Sequence, residues 1–181
     1  IKANSSRQYD FLSQNMRIQN NIMDASIQSN IKNIVFLNSN CSYPANATQP
    51  FVESSFFNGE PHQSNLGYAL AKRSAFLQSL PLLNQYEIKT FHPIPCSLYG
   101  PNDNYDLLTS HFYPALIIKI YQAKKNKKNS ILLWGNGRAK REIIYVDDLA
   151  DACIHFLNKK TKECLINIGS GEEKTIEQFA K

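Results

Sequence analysis

Ile34-Val35-Phe36-Leu37, Gly67-Tyr68-Ala69-Leu70-Ala71-Lys72 and residues 88–94 (IKTFHPI) decide the fold. The first is a short apolar, β-branched run, which reads as a buried strand. The third reads as a second strand, and the stretch between them as a helix running toward Asn84. Pro81 is expected to kink or end that helix early. Residues 38–63 are polar and turn-rich, with Pro44, Pro50 and Pro61, and form a long loop of the kind that often carries function. Upstream, Phe11, Leu12, Met16, Ile18, Ile22, Met23 and Ile27 recur near helical spacing over residues 9–29.

Downstream, residues 99–103 read as a turn and residues 114–124 as a helix. Ile131-Leu132-Leu133-Trp134 reads as a strand entering a tight turn at Gly135-Asn136-Gly137. Residues 142–146 form a further strand, and Asp147 is placed to N-cap a helix over residues 148–158. Leu165-Ile166-Asn167-Ile168 is a last strand, ended by Gly169-Ser170-Gly171. Strands alternating with helices imply an α/β fold with a mostly parallel sheet.

The chain has 181 residues, long enough for one well-buried domain. Hydrophobic residues make up 43% and charged residues 19%, an ordinary globular balance. No run of 18 or more apolar residues occurs, so a membrane span is not expected. Cys41, Cys96, Cys153 and Cys164 lack CxxC spacing. That argues against a zinc site or disulfide framework and for a reducing, cytoplasmic compartment. No other His, Cys or carboxylate grouping has metal-ligand spacing. The chain opens in a polar stretch without a starting Met and closes in a nascent helix, so a fragment of a longer protein is expected.

Net charge is +5, and residues 107–140 hold no Asp or Glu but Lys119, Lys124, Lys125, Lys127, Lys128, Arg138 and Lys140, followed at once by Arg141. An anionic ligand suits this segment. The cluster from Lys124 to Lys128 reads more simply as a solvated loop. Nucleic acid is not expected, because no aromatic interleaving or binding motif accompanies the charge.

Tyr68 and Lys72, four apart on a helix, share one face. An amine beside a phenol favours the phenolate and is expected to lower the Tyr68 pKa. A tyrosine that exchanges a proton near neutral pH is what hydride chemistry at a carbonyl requires. The spacing alone is a weak signal.

With its surroundings the chain resembles the extended short-chain dehydrogenase/reductases of the nucleotide-sugar epimerase and dehydratase type, and within them the GDP-L-fucose synthase group. The segments that carry the likeness are residues 11–21 (FLSQNMRIQNN), 36–44 (FLNSNCSYP), 67–72 (GYALAK), 98–104 (LYGPNDN), 110–116 (SHFYPAL), 134–137 (WGNG), 141–148 (REIIYVDD) and 166–171 (INIGSG). They keep family order and spacing over essentially the whole chain. The resemblance implies a Rossmann-type doubly wound parallel sheet with part of a small substrate-binding region. Residues 1–108 would be the second half of the Rossmann core, and residues 109–181 mixed core and substrate segments. The glycine-rich βαβ half is not among these residues: no GxxGxxG or GxGxxG occurs. These 181 residues alone are therefore expected neither to bind NADP nor to turn over.

The resemblance also implies the chemistry. A GDP-4-keto-6-deoxy sugar is epimerised at C3 and C5, beside its ketone, and the ketone is then reduced with NADPH; the alternatives are another nucleotide-sugar epimerase or dehydratase, a GDP-deoxy-sugar or heptose reductase, or a non-catalytic remnant that binds a nucleotide sugar. Tyr68 would protonate the C4 oxygen, Lys72 would hold the nicotinamide ribose, and Ser39 would hydrogen-bond the ketone. Cys41 as base and His111 as acid would invert the two centres. A thiol in that role needs a depressed pKa, and histidine titrates near working pH. Leu37, Asn38, Ser39 and Asn40, with Pro95, Cys96, Ser97, Leu98 and His111, match cofactor-contacting positions. Lys119, Trp134 and Arg141 match GDP-sugar contacts. Trp134 reads equally well as strand core. Lys119 stands where arginine is more usual, which weakens fork-type recognition. Asn38 replaces a glycine and would crowd the turn. Pro95-Cys96-Ser97 replaces Pro-Thr-Asn and loses an amide. Pro81 interrupts a helix that commonly helps build the family's homodimer. His62, His92 and His155 read as structural.

Overall fold

The computed structural model describes residues 2–159 and 164–181. In chain order the elements are α1 (Lys2–Ser6), α2 (Gln8–Gln28), β1 (Asn33–Val35), α3 (Leu66–Ser79), α4 (Leu82–Tyr86), β2 (Lys89–Pro95), β3 (Ser97–Tyr99), α5 (Phe112–Lys125), β4 (Lys140–Tyr145), α6 (Val146–Asn158), β5 (Leu165–Ile168), β6 (Glu173–Thr175) and α7 (Ile176–Phe179). They divide into two compact units, Ile1–Pro95 with Asp151–Ile168, and Cys96–Ala150 with Gly169–Lys181.

The first unit is built on a parallel sheet in the order β1-β2-β5. Central β2 is buried without alternation from Thr90 to Ile94, enclosing polar Thr90 and His92 together with Phe91, Pro93 and Ile94. On one side Met23, Ile34, Leu82 and Ile88 form a core with Ile27 and Phe36. A second cluster joins Tyr43, Phe56 and Ile94 to Ala47, Phe51 and Leu165, so the long loop packs its own aromatics onto the sheet. That loop is not structureless: short 3₁₀ turns occupy Asn40–Ser42, Glu53–Ser55 and Gln63–Asn65. Asn167 on β5 clips it down, donating its amide N–H to Glu53 Oε1 at 2.7 Å and its side-chain N–H to Phe51 O at 2.9 Å. Tyr43 donates to Asn167 Oδ1 at 2.8 Å, and burial pushes its phenol up to about 12.

Helix α3 packs against α2, and its Ala69, Ala71 and Ala75 are buried. At Gly67 the backbones approach closely enough that a Cβ would run into the Gln8 carbonyl oxygen. The Gln8 side chain spans the same junction, accepting from Gly67 N–H at 2.9 Å and donating to Gln63 O at 2.6 Å. The expected break comes before Pro81: α3 ends at Ser79, and Pro81 caps the separate short α4.

The second unit pairs β3 with β4 in parallel and β4 with β6 antiparallel. The parallel alternation expected from sequence thus holds for three of the four strand pairs but is distributed over two sheets. Tyr99, Phe112, Tyr113 and Phe179 pack as an aromatic cluster with ring centroids 5.2–6.0 Å apart. Two expectations fail here. Residues 131–134 are not a strand. Both edges of β4 are taken, and the run enters the turn directly, with Gly135 and Gly137 at φ of 73° and 71°. A four-residue apolar run carries no periodicity that could have shown this. Helix α6 begins at Val146, so Asp147 stands with Asp148 in its first turn instead of at the N-cap. Both carboxylates still face the positive end of the helix. No described helix is long and apolar enough to cross a membrane.

Candidate active site

Ser39 caps the 3₁₀ turn Asn40–Ser42, its hydroxyl accepting the Cys41 N–H at 3.2 Å. Asn38, just before it, is buried and fully engaged. Its Oδ1 accepts from Ser39 N–H at 2.9 Å and from the Ser42 hydroxyl at 3.2 Å, and its Nδ2 donates to Lys72 O at 3.2 Å. The residue expected to crowd the turn is therefore what ties the turn to α3, a role a glycine could not fill.

Tyr68 and Lys72 lie one turn apart on α3, as their spacing requires. The Lys72 ammonium donates to Leu37 O at 2.8 Å and sits 5.6 Å from the Tyr68 ring centroid. It does not depress the phenol. Burial holds the Tyr68 pKa above its usual value, the charge of the Cys41 thiolate adds to this, and a hydrogen bond to Ser39 opposes it. The expectation that Lys72 would lower this pKa is thus corrected. The amine gives one of its donors to a carbonyl and, being desolvated, has its own pKa lowered. Tyr68 is a protonated phenol at neutral pH, suited to giving a proton.

Leu37, Asn38, Ser39, Cys41, Tyr68 and Lys72 come together in the first unit, with Asn40 exposed beside them and Pro95 ending β2. In the second unit Cys96 follows Pro95 directly, and Ser97 and Leu98 open β3. Burial and the nearby Glu142 carboxylate push the Cys96 thiol up to about 11, which keeps it neutral. His111 is exposed and immediately precedes α5. Lys119 and Trp134 meet: the ammonium is 5.1 Å from the indole centroid and donates to Leu132 O at 2.9 Å. They line a hollow of about 300 Å³ with Gln122, Asn126 and Lys128. Trp134 is 77% exposed, so of its two sequence readings the core one is excluded. Arg141 is not among the residues lining this hollow; it stands at the exposed start of β4, donating to Lys140 O at 2.6 Å.

The lysine ammonium carries three donors and spends one on Leu37 O, so donors remain for ribose hydroxyls beside Tyr68. The residues present fit the nicotinamide end of a dinucleotide. Two neighbours of the site were missed in the sequence. Asn65 donates to the Cys41 sulfur at 3.7 Å and accepts from Asn4 at 3.2 Å. Arg73 follows Lys72 and is buried. A polar residue just before a helix and a cation on its inner face were the available signals.

A parallel α/β sheet with serine, tyrosine and lysine gathered beside the C-terminal end of its strands defines a short-chain dehydrogenase/reductase-type site. The chain belongs to the NAD dependent epimerase/dehydratase family, whose model matches residues 1–169. Among its relatives, GDP-L-fucose synthase 1 of Arabidopsis thaliana is 36% identical over 181 residues, all of this chain and 56% of that protein. GDP-L-fucose synthase of Escherichia coli (strain K12) is 35% identical over 190 residues, covering all of this chain and 59% of that protein. A GDP-L-fucose synthetase from Naegleria fowleri superposes with a TM-score of 0.86 at 26% identity, over 97% of this chain and 55% of that one. A GDP-D-glycero-L-gluco-heptose synthase from Campylobacter jejuni does so at 0.85 and 29%, over 98% and 63%. The chain spans a little over half the length of the curated relatives it matches.

Proposed function

We propose that this chain carries the catalytic residues of an epimerase-reductase that converts GDP-4-keto-6-deoxy-D-mannose to GDP-L-fucose, using NADP(H). The observation that carries the proposal is the grouping of Ser39, Cys41, Tyr68 and Lys72 around one turn of α3. Identity of 36% to a GDP-L-fucose synthase over the whole chain supports the choice of sugar, and relatives solved with NADP support the cofactor.

The C4 ketone acidifies the hydrogens at C3 and C5. The Cys41 thiolate takes a proton from one of these carbons, and the electron pair moves onto the C4 oxygen. Ser39 and Tyr68 donate hydrogen bonds to that oxygen, where the negative charge develops. His111 returns a proton to the carbon from the opposite face of the ring. NADPH, when bound, supplies the hydride for C4. Tyr68 then gives its proton to the C4 oxygen, and Lys72 steadies the ribose and the phenolate left behind. Lys119, Trp134 and Arg141 hold the GDP portion by charge and stacking. The protein works as a homodimer in the cytoplasm; the exposed apolar residues of α2 and α3 and the unpaired cysteines support this.

The test is deuterium uptake from D₂O at C3 and C5 in the whole protein. Cys41→Ser and His111→Gln are expected to lose uptake by about 100-fold or more while part of the hydride transfer survives. Unchanged uptake at both carbons would remove the two residues from these roles.

A further inference from the structure

Arg73 is 9% exposed. Buried cations ordinarily face a carboxylate, yet among the described residues Arg73 has none within ion-pair distance. Its Nε–H donates to Ser42 O at 2.8 Å and its Nη1–H to Gly59 O at 2.9 Å. The guanidinium carbon lies 5.7 Å from the Phe56 ring centroid and 5.5 Å from that of Phe57. Among the described residues Nη2 has no hydrogen-bond partner.

The preceding helix residue does the complementary job. Lys72 O accepts from Asn38 Nδ2, and Asn38 Oδ1 accepts from the Ser42 hydroxyl. Residues 38–42 are thus held at one end through Lys72 and at the other through Arg73. Between the two ties lie Ser39 and Cys41. A buried guanidinium without a counter-charge is a poor source of stability, and an apolar chain of similar length would pack as well. What arginine adds is direction: two diverging N–H groups that fix two loop carbonyls on one helix turn.

We propose that Arg73 is a positioning residue for Cys41, holding the turn that carries the thiol in register with Tyr68 and Lys72 on its own helix. This rests on the role given to Cys41 above. Asn38 holds the Ser39 N–H without help from Arg73 and, at the far end, only the Ser42 hydroxyl, so loss of Arg73 loosens the turn at Cys41 more than at Ser39.

The test uses the whole protein with Arg73→Met and Arg73→Lys. The lysine variant keeps the charge and an aliphatic stem but cannot reach both carbonyls, and it serves if the methionine variant does not fold. Iodoacetamide labelling is followed by mass spectrometry at each cysteine, without substrate. Deuterium uptake into GDP-4-keto-6-deoxy-D-mannose is measured beside it. Cys41 labelling is expected to rise about threefold or more with Cys96, Cys153 and Cys164 unchanged. Uptake should fall ~10- to 100-fold, the scale of an ångström of misplacement. Unchanged Cys41 labelling, or a rise at all four cysteines together, would overturn the proposal, the latter showing general loosening. If the unsubstituted protein takes up no deuterium, the epimerase reading fails by itself and the labelling pattern alone decides the role of Arg73.

Discussion

His92 stands in the middle of β2 with no exposed surface. Its ring stacks on Phe36 at 5.6 Å and meets Phe76 edge-on at 5.2 Å. Ser79 spends its hydroxyl hydrogen on Phe76 O at 2.7 Å, so the 2.8 Å contact to His92 Nε2 is donated by the imidazole. Nδ1 is then a bare, unpartnered acceptor, and the ring is neutral. Burial, and secondarily the charge of Lys72, holds its pKa down at about 3. Between pH 6.5 and 3 the unfolded chain binds a proton that the folded chain refuses, so stability is present above about 6.5 and is lost as pH falls. Acidification is expected to destabilise the protein by an amount on the order of a few kcal/mol from this residue. In His92→Phe the part of that loss between pH 6.5 and 5 should vanish from chemical denaturation curves. An unchanged pH dependence would show that another group is responsible. The sequence marked His92 as structural rightly, whereas its reading of the Tyr68 pKa failed. Spacing reveals a neighbouring cation but not the burial or the competing carbonyl of Leu37 that outweigh it.

Helix boundaries and strand runs were legible where the pattern was long or the punctuation strong. Residues 9–29 hold α2, Pro81 does break the following helix, and Leu165–Ile168 is β5 as read. What the sequence concealed was decided by pairing between distant residues: β3 and β6 are three residues each, and residues 131–134 found no partner strand. Helices α2 and α3 also show what their sequences leave unburied. Ile18 and Ile22 on α2, and Leu70 and Leu77 on α3, repeat at helical spacing and are exposed. If these faces join two copies, Leu70→Glu with Leu77→Glu is expected to convert a dimer to a monomer in sedimentation velocity without loss of helix content. A monomer before substitution would remove the dimer, and a dimer after it would place the interface elsewhere.

Across the molecule, the site residues fall in two groups that the sequence could name but not assemble. The first unit gathers Ser39, Cys41, Tyr68 and Lys72, and the second holds His111 and brings Lys119 to Trp134 while Arg141 lies outside that pair. The motif spacings led to the right family because they mark fixed points: a strand end, a helix turn and the start of α6. The residues that tie the turn after β1 to α3, Asn38 and Arg73, with Asn65 on the Cys41 sulfur, leave only faint marks in the sequence, because each acts through a contact between segments far apart in the chain. The central claim is that Tyr68 delivers the proton to the C4 oxygen of the ketone being reduced. It is tested most directly by NADPH oxidation with GDP-4-keto-6-deoxy-D-mannose in the whole protein and in its Tyr68→Phe variant. A loss of about 100-fold or more, with the fold intact, is expected; oxidation by the variant at the unsubstituted rate would contradict it.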